Sequence, residues 1–186
     1  MSYTFGLDTF GDRSGDAAGN AQSHAQTIRN VAEQGVFAEQ AGVDFFGIGE
    51  HHTDLFPMPA GDVVLAAIAA RTEKIHLGSA VTVLGSDDPV RVFQRFSTLN
   101  ALSNGRAEVI LGRGSSIDSF PLFGYNLADY DQLFDKRPPC SPNCSKAARS
   151  RGRARPGPRS STRMWSRTPN PARSPPGSAS AATRSP

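Results

Sequence analysis

Two short stretches hold the residues best suited to chemistry. Glu50-His51-His52 sets a carboxylate beside two imidazoles. Imidazole is the side chain whose charge changes nearest neutral pH. Neighbouring residues on an extended chain point to opposite faces, so one histidine of the pair is expected to face a pocket. The alternative is one packed strand-end histidine and one solvated one. A metal site would want another spacing or a third ligand, and none is expected. Gly112-Arg113-Gly114-Ser115-Ser116 offers a cation, backbone N–H groups freed by glycine and two hydroxyls. That set suits a phosphate. Its spacing is neither a P-loop nor a dinucleotide fingerprint, so a flexible turn with a solvated arginine stays open.

The elements that must position these residues alternate strand and helix. Residues 3–10 read as a strand, followed by a Gly/Asp/Ala-rich loop over 11–20. Ser23-x-x-Gln26 has the form of a capping box. The helix behind it carries Ile28, Val31, Ala32, Gly35 and Ala38, and Gly42 is placed to end it. Residues 43–49 form the second strand, and residues 62–71 the second helix, with Val63, Val64, Ala67 and Ile68 on one face. Residues 75–84 form a third strand, apolar on both faces as in parallel sheets. Asp88-Pro89 caps a third helix with Val92, Phe93, Phe96, Leu99 and Leu102 as its stripe, closed by Asn104-Gly105. Residues 107–111 are the fourth strand. A loop over 112–126 and a helix beginning at Tyr130, Leu133 and Phe134 follow, stopped by Pro138-Pro139.

Repeated strand–helix units imply a parallel sheet with right-handed crossovers. A doubly wound sheet and a (β/α)8 barrel both fit, and a barrel takes eight units over roughly 250 residues. In either, ligands bind at the carboxyl ends of the strands. Glu50-His51-His52 ends strand 2, and the Gly112 stretch ends strand 4. His76 starts strand 3, at the wrong end to join them.

Charge divides the 186-residue chain in two. Residues 1–135 hold all 17 acidic residues and 8 basic ones, a formal −9. Residues 136–186 hold 12 basic residues and no acidic one. That segment has no Val, Ile, Leu, Phe or Tyr, so it is expected to be disordered. It reads as a nucleic-acid-binding tail, a tether, or an out-of-frame product of GC-rich codons. The third is preferred, because the change at Asp135/Lys136 is abrupt and interrupts a helix pattern. Cys140 and Cys144 have no second pair or histidines to complete a zinc site. No secretory signal or membrane span is visible, and a cytoplasmic setting is expected.

Four ordered segments resemble the bacterial luciferase-like flavin monooxygenase family. They are residues 45–52, 75–84 and 88–91, and Asn104-Gly105-Arg106 leading to Gly112-Arg113-Gly114-Ser115. The likeness spans about residues 3–135. It implies an α/β fold, the N-terminal half of a (β/α)8 barrel with four strand–helix units, the last cut short. It implies reduced FMN, or a deazaflavin in related branches, used with dioxygen on a small organic substrate. By the same resemblance His51 is catalytic beside the isoalloxazine, with Glu50 next to it. Ser79, Ala80 and Val81 lie against the ring, where relatives have a bulged strand with an unusual peptide. Arg113, with Gly114 and Ser115, holds the phosphate. A flavin reductase and a homo- or heterodimer are implied partners. Relatives continue through four more units, so this chain is expected to be inactive alone. The competing expectation is a non-enzymatic half-barrel with a basic nucleic-acid-binding tail.

Overall fold

The computed structural model describes residues 3–15 and 17–135. The segment 136–186, its expected disorder and its two cysteines lie outside the described residues. β1 (Gly6–Thr9) leads to α1 (His24–Gln40), and β2 (Phe45–Ile48) to α2 (Gly61–Ala69). The third unit has two strand pieces, β3 (His76–Ser79) and β4 (Thr82–Val83), before α3 (Pro89–Leu102). The fourth has β5 (Ala107–Glu108) and β6 (Leu111–Gly112), then a short helix, α4 (Ser119–Leu122). A single 3-10 turn, Leu127–Asp129, precedes α5 (Tyr130–Asp135).

Among the described residues every pairing between strands is parallel. β1, β2, β3 and β5 form one sheet in that order, and β4 pairs with β6. A doubly wound sheet reverses its order at a switch point. Here the order runs straight through, and α1 packs on α2 and α2 on α3. That is barrel winding, so the doubly wound alternative is set aside.

Local chemistry explains the helix ends. Ser23 caps α1 by accepting from the Gln26 N–H at 3.2 Å. The box is only half closed, since the Gln26 amide turns to Asn30 and Arg29. At the other end the Gly42 N–H reaches Glu39 O and the Val43 N–H reaches Ala38 O, both at 3.0 Å. That pair of bonds needs a left-handed residue, and Gly42 has φ +81°. Asp88 caps α3 by accepting from the Val90 and Arg91 N–H groups at 2.9 Å, with Pro89 in the first turn.

The core lies between sheet and helices. Phe46, Ile48 and Leu77 from the strands meet Leu65 and Ile68 of α2, Val31 of α1 and Phe96 and Leu99 of α3. Gly35 lets α1 and α2 approach closely: a Cβ there would sit 2.5 Å from Ile68 Cδ1. On the opposite sheet face a Cβ on Gly47 would sit 2.1 Å from Asp8 Oδ1. One on Gly78 would sit 2.7 Å from the Phe45 ring.

Three expectations shift. The α2 face is Val64, Leu65, Ile68 and Ala69, while Val63 is 65% exposed. The segment is apolar all round, so periodicity leaves its phase open. The third strand is not continuous but breaks at a cis Ala80–Val81 peptide, and the fourth breaks beside it. The α3 stripe ends at Leu99, because Leu102 is exposed.

Candidate functional site

The loops after the strands converge on one cavity of about 340 Å³. Phe10 follows β1, Glu50, His51 and His52 follow β2, and Ala80 and Val81 follow β3. Gly112, Arg113, Gly114, Ser115 and Ser116 arrive from the end of β6. Glu50, His51, Ala80, Val81, Arg113, Gly114 and Ser115 therefore share this cavity. Ser79 stands apart from it.

Glu50 fastens the edge of the cavity. Its carboxylate accepts from the Val83 N–H at 2.9 Å and pairs with His52 Nε2 at 2.9 Å. Its own N–H donates to Val81 O at 3.2 Å. Glu50 thus ties the end of β2 across the cis peptide. Ser79 holds the same break from the other side. Its hydroxyl donates to Ile110 O at 3.0 Å and accepts from the Ile110 N–H at 3.1 Å. Ser79 is buried and lines a second cavity of about 340 Å³, shared with Arg95, Asp62 and Asp87. Arg95 bonds both of those aspartates.

The two histidines diverge as their adjacency implies, yet both reach the cavity. Residues 50–52 lie past the end of β2, where strict alternation no longer applies. His51 packs on Phe10 and Phe56, with ring centroids 4.9 and 5.2 Å away. His52 turns to Glu50 and meets the Phe123 ring edge-on at 5.2 Å. Burial against the two phenylalanines, then the neighbouring His52, hold His51 below the usual histidine range. Glu50 pulls the other way and is outweighed. His51 is thus kept neutral at pH 7, with one nitrogen able to donate and one to accept.

Arg113 bonds Asp131 of α5 and lies over the Phe134 ring, 4.9 Å from its centroid. Gly114 has φ +74°, and its carbonyl accepts from Tyr130 Oη at 2.7 Å. Phe120 of α4 stacks on Tyr130 at 5.7 Å. The Ser116 hydroxyl bonds Asp118. Helices α4 and α5 therefore position the loop, which the sequence pattern did not foretell. Ser119 was also missed as a cavity residue, as were Phe56, which packs behind His51, and Phe123, which packs on His52. They sit in or next to loops, where no period marks an inward side chain. His76 pairs with Glu108 at 3.0 Å, away from the cavity. Among the described residues no three His, Cys, Asp or Glu side chains gather as metal ligands. None of the described helices is long and apolar enough to cross a membrane.

Comparison with known proteins bears on the family and the fold. A luciferase-like monooxygenase of Escherichia coli K12 is 30% identical over 150 residues, covering 72% of this chain and 42% of its own. The chain spans about a third to two fifths of the length of the first curated relatives it matches. A Baeyer-Villiger monooxygenase of Pseudomonas putida, solved in complex with FMN, superposes with TM-score 0.64 at 23% identity. That match covers 74% of this chain and 37% of the other. A coenzyme F420 dependent tetrahydromethanopterin reductase of Methanopyrus kandleri gives TM-score 0.52 at 23% identity, covering 68% and 31%. These two likenesses concern the fold. Residues 7–135 match the family model of luciferase-like monooxygenases, and the chain belongs to that family.

Proposed function

We propose that residues 3–135 carry the flavin-binding part of a flavin-dependent monooxygenase, with reduced FMN as the cofactor. The observation that carries this reading is the single cavity shared by His51, the Ala80–Val81 cis peptide and the Arg113 loop. Its volume lies within the range of small-molecule sites. The donor set fits the group. Arg113 gives a planar cation for a phosphate, and Ser115 gives a hydroxyl beside it. A Cβ on Gly112 would sit 2.7 Å from Val81, so glycine keeps this floor low. Phe10, His51, Phe56 and the Ala80–Val81 backbone form an apolar end suited to a flat ring.

Each residue then has a task. Arg113 exchanges Asp131 for the phosphate, and Gly114 and Ser115 complete the cradle. Ala80 and Val81 meet the ring, in a position that Ser79 fixes through Ile110. Glu50 holds the strand ends at the spacing the ring needs. His51, neutral and partly shielded by two aromatic rings, holds or passes a proton at one ring nitrogen. When bound, the reduced flavin supplies the electrons that activate dioxygen toward an organic substrate. A small organic molecule and dioxygen are the co-substrates, with a separate reductase, subunit pairing and a cytoplasmic setting as in the family resemblance.

Flavin fluorescence tests the reading. The full chain is titrated with FMN and, separately, with a deazaflavin. Saturable quenching by FMN is expected. Saturation by the deazaflavin alone would replace FMN with that cofactor, and no saturation by either would overturn the reading.

A further inference from the structure

The cavity wall contains one polar group that the interactions above leave unexplained. Ser119, the first residue of α4, is 4% exposed. Its Oγ is buried and has no hydrogen-bond partner among the described residues. Buried hydroxyls are nearly always bonded, because water's bonds are lost on burial and must be replaced. An apolar side chain would fill that space at less cost. Serine there is explained if a partner arrives with a ligand.

Its surroundings indicate which ligand group that is. Ser119 lines the cavity with Arg113, Gly114, Ser115 and Ser116. The stack of Phe120 on Tyr130, and the Tyr130 bond to Gly114 O, hold α4 against this loop. The Ser116 hydroxyl is engaged by Asp118 and Ser115 is exposed, so Ser119 is the buried hydroxyl with unused donor capacity on this wall among the described residues. The aromatic cluster of Phe10, His51 and Phe56 marks the other end. A serine hydroxyl swings on a single heavy-atom torsion, so it adapts to an arriving oxyanion by one rotation.

We infer that Ser119 is a further ligand-binding residue of this site, its hydroxyl donating to the phosphate of the bound cofactor. The inference rests on the flavin reading above. It predicts a paired signature that a purely structural serine would not give. Removing an unsatisfied buried hydroxyl stabilises the ligand-free chain and weakens the ligand.

The test uses the full chain and its Ser119→Ala and Ser119→Cys variants. Ligand-free melting temperature, affinity for FMN and for riboflavin, and the thermal shift by inorganic phosphate are measured. Both variants are expected to melt about 2–4 °C higher without ligand. FMN affinity should fall about 10-fold, with riboflavin affinity unchanged. Unchanged FMN affinity in both variants would overturn the inference while leaving the flavin reading intact. Equal loss for FMN and riboflavin would overturn it too, since the contact would then lie off the phosphate. If the wild type takes phosphate but no flavin, and the variants lose the phosphate shift, Ser119 stands and the flavin reading falls. If the wild type takes neither, both fall.

Discussion

His51 shows how environment turns a common residue into a specific one. Two phenylalanine rings and a second imidazole keep it uncharged at a pH where an exposed histidine is partly protonated. Its folded pKa is lower than its unfolded value of about 6.5. The folded chain therefore binds the proton less readily than the unfolded chain. Stability is undiminished above the unfolded value and falls as pH drops below it, toward the folded pKa. Urea midpoints at pH 7.5 and 5.5 read this directly. Wild type should lose stability between the two, and His51→Phe should lose less. Equal losses would place His51 outside a shielded site. The residue scale was half legible in the sequence. Glu50, His51 and Arg113 stand out by type and by their position after strands. Phe56 and Ser119 do not, because neither a loop nor a helix of four residues has a period that marks which side chain turns inward.

At the scale of elements, the site depends on how closely helices and strands approach. Gly35 sits in the middle of α1, where glycine weakens a helix. The α1–α2 contact accounts for it, since Ile68 occupies the space of a side chain. Gly35→Val should lower stability by about 1–3 kcal/mol through overpacking. Ile68→Ala should relieve part of that cost in a double-mutant cycle read by urea denaturation. Strict additivity would contradict the contact. Helix α5 acts on the site directly, because Asp131 bonds the arginine assigned to the phosphate. Asp131→Asn should tighten FMN binding a few-fold in a fluorescence titration, with weakening as the contrary result. The four strand–helix units were legible because β2, α1 and α3 carry clear periods and caps. The phase of α2 was not, since residues 63–70 are apolar on every side. The break in the third strand was legible only through the family resemblance, which implied a bulge with an unusual peptide at Ser79-Ala80-Val81: by pattern alone Ile75 to Leu84 reads as one apolar run, and nothing local marks the Ala80–Val81 cis peptide.

The whole molecule is two unlike polymers in one chain, −9 over residues 1–135 and +12 beyond. Straight strand order gives the first part barrel winding, with β1 at the sheet edge and Leu7 51% exposed there. The second part has the composition of GC-rich codons read out of frame. The DNA near codon 135 is expected to regain apolar strand–helix patterning when its frame is shifted. If every frame stays Arg/Pro-rich, the tail needs a function of its own. The pI near 9.2 arises from residues 136–186 and gives no reason to assign residues 1–135 a nucleic-acid partner.

One cavity at the strand ends is proposed to hold both the ring and the phosphate of a flavin, with Arg113 on the phosphate. Paired equilibrium titrations of wild type and Arg113→Ala with FMN and riboflavin test it most directly. Wild type is expected to prefer FMN by roughly 10-fold or more, as a charge-assisted bond to phosphate would give. Arg113→Ala is expected to erase that preference while still binding riboflavin. Equal wild-type affinity for the two flavins, or a preference that survives in Arg113→Ala, would contradict it.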